Sequence, residues 1–357
     1  MRDFTSALYL GMRHPSASLG AWDQLSLGRP AALEEPPGAR AFAAALARLV
    51  GCEAATVLPS TLHLFWDLFG MLARERVALL VDSASYPIAR WGAQAHGLPT
   101  HTFGSGDLGA LARLTQHWSA CGRRPVILAD GYTPGSGRVP PLAAYAALAA
   151  SCGGLLVLDD TQVLGLFGRR AGLAPYGHGG GGSLRWHGLS GAHLVVGASL
   201  AKAFGAPLAV LCAGAELVAR FEDASQTRSH TSPPSVAVLR AAQQALMLNR
   251  RQGDQLRWHL WRLVTHWRGA LARRGLASHG GDFPLQTVLI GPPRDGASVQ
   301  AALLARGVRA VAQQAGRHGA VSFLLRANHS ENDIDMAADA LADCLAPQAP
   351  PHLLERA

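Results

Sequence analysis

Residues 197–207 read GASLAKAFGAP, and residues 154–160 read GLLVLDD. Each contains or follows a short apolar run, and the runs form a series. AATVL (54–58), RVALLV (76–81), RPVILAD (124–130), GLLVLDD (154–160), HLVVGAS (193–199) and PLAVLCAG (207–214) have the length and continuous apolar character of strands buried on both faces. Helical stretches such as LHLFWDLFGMLAR (62–74) and PLAAYAALAASC (141–152) lie between most of them. Strand and helix in alternation predict an α/β fold with a mainly parallel sheet flanked by helices.

Two segments carry chemistry. Asp159 and Asp160 end a strand, at the edge where open α/β sheets bind ligands. Adjacent residues on a strand point to opposite faces, so only one of the two carboxylates can aim into a given site. Lys202 sits among small residues just past another strand. A lysine partly shielded from water can act as a nucleophile or form a Schiff base. Taken singly, each segment has a plainer explanation: carboxylates in turns are common, and a lysine after a strand is usually solvated. Together, in this order, they are what pyridoxal 5'-phosphate (PLP) chemistry requires. The aspartate keeps the pyridine nitrogen protonated, so that the ring takes up carbanion charge; the lysine holds the aldehyde and later moves protons. LPST (58–61), before a helix from Leu62, offers backbone N–H groups for a phosphate, with the hydroxyls of Ser60 and Thr61 besides. Tyr86, in VDSASYPIARWG (81–92), is placed to cover the ring.

The chain resembles the fold-type I PLP-dependent enzymes of the aminotransferase class I/II superfamily, and within them the α-oxoamine synthases (relatives of 8-amino-7-oxononanoate synthase and glycine C-acyltransferase). LDDTQVLGLFG (158–168) is similar to the family's VDDAHxxGxxG, ASLAKAFG (198–205) to its SKAFG segment, DGYTPGSGRVPPLAAYAALA (130–149) to EGxxSMxGxxxPL, and NHSENDID (328–335) to AHTxEDID. The resemblance implies a large PLP-binding domain with a small C-terminal α+β domain. It makes Lys202 the Schiff-base lysine and Asp159 the partner of the pyridine nitrogen. Ser199 matches a phosphate-binding hydroxyl, and Ser60, Thr61 and Leu62 match the phosphate turn. Tyr86 falls at the ring-stacking position and Asp130 at a polar position below the cofactor. SHTSPP (229–234) resembles the segment that reaches the phosphate of a neighbouring subunit, through Thr231, which implies a homodimer.

Departures from the family bear on the reaction. Its histidine after the aspartate is Gln162 here, which can donate to the cofactor's phenolic oxygen but is no acid or base near neutrality. LGRPAALEEPPGAR (27–40) replaces a glycine-rich segment at the substrate entrance. The carboxylate-binding arginine aligns with Ser322; Arg326, four residues on and on the same face of an expected strand, is the candidate clamp. The implied function is a PLP-dependent transferase acting on an amino acid, by condensation with an acyl thioester through a quinonoid carbanion, with acyl-CoA or an acyl carrier protein as donor. An aminotransferase, racemase or decarboxylase acting on an amino acid or amine shares the early chemistry and stays open. A non-catalytic PLP-fold binding protein is opposed by the presence of both Lys202 and Asp159.

Bulk properties agree with a core-rich globular chain. Of 357 residues, 49% are hydrophobic and 16% charged, too many residues for one typical core. The net charge of +8 is spread along the chain, mostly as arginine, with no basic cluster or helix-turn-helix pattern, which argues against a nucleic-acid partner. Five cysteines without a CxxC pair suggest neither metal site nor disulfide framework, and point to a reducing, cytoplasmic setting. No segment has the apolar length of a membrane span. Residues 1–40, rich in glycine and proline, read as an arm over the surface and not as a core element; 41–235 as the large domain; 236–275 as a linking helix; 276–346 as the small domain; and 347–357 as a loose tail. GHGGGGS (177–183) reads as a flexible loop that lacks the order of a P-loop. His178 within it would reach a site only if the loop folded over it.

Overall fold

A computed structural model describes residues 1–133, 139–315 and 318–346. The tail expected at 347–357, and 134–138 within the DGYTPGSGRVPPL segment, lie outside the described residues. The chain divides into two compact units, one of Leu8–Trp258 and one of Met1–Ala7 with the chain from His259 onward.

The chain opens with β1 (Arg2–Asp3), which belongs to the second unit. The first unit then runs α1 (Ala39–Val50), β2 (Ala54–Leu58), α2 (Thr61–Leu72), β3 (Val77–Asp82), α3 (Pro87–Ala95), β4 (Thr100–Phe103), α4 (Leu108–Ala120), β5 (Arg124–Asp130), α5 (Leu142–Ser151), β6 (Leu155–Asp159), α6 (Ser183–His187), β7 (Leu194–Ser199), β8 (Ala209–Ala213), α7 (Ala215–Ala224) and α8 (Gln226–His230). The unit boundary falls inside the long helix α9 (Val236–Ala272).

The seven strands β2–β8 form one sheet in the order β2-β8-β7-β6-β5-β3-β4. Neighbours from β7 to β4 are parallel, and β8 is antiparallel to both β7 and β2. Six strands therefore share one direction, and their C-terminal ends form one edge. The continuous apolar runs have their cause here: β3 and β6 are buried at every residue, because helices cover both faces. On one face, α2 buries Leu64, Phe65, Leu68, Phe69 and Leu72 in a cluster with Leu79 and Val81 of β3, Val157 of β6 and Val195 of β7. Each such side chain contributes about 1.5–3 kcal/mol on leaving water. That cluster fixes where α2 begins, and so where the phosphate-type turn sits.

The second unit adds β9 (Leu285–Ile290), α10 (Gly296–Ala305), β10 (Val308–Arg309), β11 (Val311–Ala315), β12 (His318–Leu324) and α11 (Glu331–Leu345). An antiparallel sheet of order β11-β12-β9 packs with its helices, and β1 pairs in parallel with β10. The start of α11 is a capping box: Ser330 Oγ accepts from Asp333 N at 3.1 Å, and Asp333 Oδ2 accepts from Ser330 N at 3.0 Å.

Two expectations need correction. The first residues are core in part. Phe4 packs on Trp267 and Phe323 in the second unit, and Tyr9 and Leu10 are buried in the first. The stretch 177–183 is pinned, not loose. Asn249 Nδ2 donates to Gly179 O at 2.9 Å, Gly179 N donates to Asp254 Oδ1 at 2.9 Å, and Arg257 Nη1 donates to Gly165 O at 2.8 Å. Bridges Leu164↔Gly181 and Arg169↔His178 tie the same stretch to the chain after β6.

Candidate active site

The ends of β5, β6 and β7 carry Asp130, Asp159 and Ser199. They open onto a cavity of about 920 Å³ in the first unit, at the edge where parallel strands end. Lys202, three residues past β7, lines it with Thr61 from the first turn of α2. Tyr86 and Gln162 complete the set, so seven of the ten expected cofactor contacts line this one cavity.

Asp159 and Asp160 part as the strand pleat requires. Asp159 lines the cavity, and its Oδ1 accepts from Thr161 N at 3.0 Å. Burial raises its pKa; the Thr161 hydrogen bonds and the charge of Lys202 pull the other way. Asp160, wholly buried, accepts from Ser183 N at 2.8 Å and from the Ser183 hydroxyl. Its carboxyl is pushed up to about 6 by burial, against those two bonds. Asp160 thus anchors the end of the glycine stretch to β6.

Asp130 accepts from Tyr86 N at 3.1 and 3.2 Å and is pushed up to about 8, first by burial and then by the charge of Asp159. Tyr86 is the residue before α3, with 63% of its surface exposed. Ser199 N donates to Thr161 Oγ1 at 3.0 Å, and Ser199 Oγ accepts from Ala201 N at 3.2 Å, which shapes the turn that presents Lys202. Gln162 Oε1 accepts from Tyr9 OH at 2.7 Å.

Three expected contacts stand apart from that lining. Ser60 caps α2, and its Oγ lies 2.8 Å from His63 Nδ1, while Leu62 is exposed. Thr231 follows α8, where its Oγ1 donates to Thr227 O at 2.7 Å. Arg326 lies beyond the end of β12, so it does not share a strand face with Ser322 as the spacing suggested. Its Nη2 donates to Asp3 O at 2.9 Å and sits 3.1 Å from His329 Nε2. Ser322 is buried in β12, 2.7 Å from Thr287 Oγ1. His178 Nδ1 faces Asp254 Oδ2 at 3.3 Å, which accounts for it without the cavity.

Sequence reasoning missed Thr133, Thr161 and Ser85, which also line the cavity. A signal existed for Thr161: an aspartate commonly accepts from the backbone two residues on, so the residue at that offset is drawn into the turn. Among the described residues no group of three or more His, Cys, Asp or Glu could hold a metal ion. No described helix is long and apolar enough to cross a membrane.

No family model matches the chain. It is 32% identical over 239 residues to an 8-amino-7-oxononanoate synthase of Halorhodospira halophila, covering 65% of this chain and 57% of that protein, so the match spans less than two thirds of that relative's length. An 8-amino-7-oxononanoate synthase of Aromatoleum aromaticum is 29% identical over 343 residues, 94% of this chain and 83% of that protein. Among solved structures, a serine palmitoyltransferase of S. paucimobilis with a bound PLP–myriocin aldimine superposes with a TM-score of 0.84 at 16% identity, over 96% of this chain and 86% of that one. The 8-amino-7-oxononanoate synthase of Francisella tularensis gives a TM-score of 0.75 at 16% identity, over 96% and 97%. From the strand order, the cavity at the strand ends and these likenesses together, the chain has the fold of the α-oxoamine synthase type of PLP-dependent enzyme.

Proposed function

We propose that the protein is a PLP-dependent transferase that joins an amino acid to an acyl group carried as a thioester. One observation carries this reading: Lys202 and Asp159 wall a single cavity of about 920 Å³ at the C-terminal edge of a parallel sheet. The donor set suits the cofactor. It offers a primary amine for the aldehyde, a buried carboxylate for the pyridine nitrogen, and the hydroxyls of Thr61 and Ser199 for the phosphate. The first N–H groups of α2 lack partners within the helix and add to that cradle.

Bound PLP supplies an electron sink for the α-carbon of an amino acid. Asp159 holds a proton on the ring nitrogen, and a cation beside it offsets the cost of burying its charge. Lys202 Nζ, which lines the cavity, would hold the cofactor's aldehyde and, when free, would serve as the base for the proton on the amino acid's α-carbon. Tyr86 would cover the ring, and Asp130, bonded to Tyr86 N, would face the same cavity with a carboxyl that burial keeps protonated near neutrality. Thr231, just after α8, would reach the phosphate held by a second copy, which makes a homodimer the expected active form. A cytoplasmic setting suits five cysteines that form no disulfide. Relatives named for acyl-condensing synthases and a palmitoyltransferase favour acyl transfer over transamination.

The test is an absorption spectrum of the purified protein with PLP, beside Lys202→Ala, followed by a panel of amino acids with and without acyl-CoA. A visible band that the variant lacks, and free thiol released only when acyl-CoA and one amino acid are both present, is the expected result. A keto acid formed without acyl-CoA makes it an aminotransferase. No visible band in the wild type removes the reading altogether.

A further inference from the structure

Tyr9 is fully buried, and its hydroxyl donates to Gln162 Oε1 at 2.7 Å. The chain around it is held against the lysine loop. His14 Nε2 lies 2.8 Å from Phe204 O, and Gly11 N donates to Leu8 O at 2.7 Å. A Cβ on Gly205 would meet Leu8 Cδ2 at 3.3 Å and Met12 O at 3.5 Å, so residues 8–14 pack directly on the turn that follows Lys202. Burial raises the Tyr9 hydroxyl well above its ordinary pKa, so it keeps the proton that it donates to Gln162.

An amide has one acceptor end and one donor end. With its oxygen taken by Tyr9, Gln162 has its NH₂ left for its other side, and Gln162 lines the cavity with Asp159 and Lys202. We propose that Tyr9 is a positioning residue that locks the Gln162 amide with its NH₂ toward the cavity, as a permanent neutral donor to the phenolic oxygen of bound PLP. This rests on the proposed function. The phenolic oxygen is attached next to the ring carbon that bears the aldehyde, so a cofactor joined to Lys202 carries it close to that lysine. An amide flipped the other way would set its carbonyl against an oxygen of like charge. A histidine in this place would gain and lose a proton near neutrality; an amide does not, so its orientation alone decides whether it donates. A free amide would adopt both orientations, and the Tyr9 hydroxyl, as donor to Oε1, selects one.

The readout is the pH midpoint at which the visible band of the protein–PLP Schiff base changes. A donor to the phenolic oxygen stabilises its negative charge and lowers that midpoint. The other ionisable groups lining the cavity, Asp130, Asp159, Tyr86 and Lys202, are the same in every variant. Gln162→Leu is expected to raise the midpoint by about one pH unit, the scale of one hydrogen bond to a charged group. Tyr9→Phe keeps the ring and its packing and is expected to raise it by about half a unit or more on the same scale, with the double variant no higher than Gln162→Leu alone. Gln162→Glu, which keeps an acceptor for Tyr9 and turns another acceptor to the cavity, is expected to raise it further and does not depend on Tyr9 being replaceable. A midpoint unmoved by Tyr9→Phe while Gln162→Leu shifts it overturns the positioning role. A normal band with no shift in any variant overturns the donor itself and leaves the proposed function standing. Absence of the band in the wild type overturns both.

Discussion

Asp130 and Asp159 are register partners at the ends of neighbouring parallel strands, and both line the same cavity. Two carboxyls so placed do not both ionise readily, and their surroundings divide the roles. Burial raises the pKa of both: at Asp159 the Thr161 hydrogen bonds and the charge of Lys202 pull the other way, whereas at Asp130 the charge of Asp159 adds to burial and pushes the carboxyl up to about 8.

This division gives a pH prediction for the cofactor-free protein. An unfolded aspartate ionises near about 4. Between there and about 8 the folded state holds a proton on Asp130 that the unfolded state lacks, so its contribution to stability is present at low pH and is lost as pH rises through that window. Asp130→Asn removes the loss. The melting temperature of the variant relative to the wild type should therefore rise from pH 5 to pH 8. An unchanged difference across that range would mean that Asp130 is ionised throughout.

The neighbouring aspartates of β6 should separate in function. Asp159→Asn should lower turnover by about a hundredfold or more, the scale of a lost proton-handling group, with little change in urea unfolding. Asp160→Ala leaves the N–H and hydroxyl of Ser183 without their acceptor and should cost about 1–3 kcal/mol of stability, with turnover per folded molecule largely kept. Urea titration beside turnover measures both.

The glycine stretch offers a test of its pinning. Gly180 has φ +71°, and a Cβ there would lie 2.6 Å from Arg257 Nη1 and 2.8 Å from Gly165 O. Gly180→Ala should destabilise by clearly more than about 1 kcal/mol, since strain and collision add. Gly172, with φ +59° and open space at its Cβ, is the control, and its alanine variant should lose only about 1 kcal/mol. Equal losses in the two variants would show that the stretch gives way freely.

Ser60 should matter twice. Ser60→Ala removes the side-chain cap of α2 and should cost about 1 kcal/mol. It should also weaken PLP binding by about tenfold, because the cap sets the helix start whose N–H groups and Thr61 hydroxyl face the cavity. Equilibrium dialysis against PLP, beside thermal melting, separates the two effects.

The sequence by itself determined the elements whose burial is local in origin. β2, β3 and β5 to β8 were legible because a strand covered on both faces must be apolar at every position, and the pattern lies within a few consecutive residues. Asp159 and Lys202 were legible for a related reason. Each ends or follows such a strand, and strand ends of a parallel sheet converge on one edge. The cap of α11 was legible because both its partners lie three residues apart. The edge strand β4, THTF, escaped because two of its four residues are exposed and it carries no apolar run. Tertiary structure alone decided the rest. Phe4 and Tyr9 are core because distant partners, Trp267 and Gln162, come to them. The stretch 177–183 is fixed by Asn249 and Asp254, on a helix about seventy residues further along the chain. A glycine-rich stretch carries no pattern of its own, and hydrogen bonds closed across such distances leave no period in the sequence that a local reading could find.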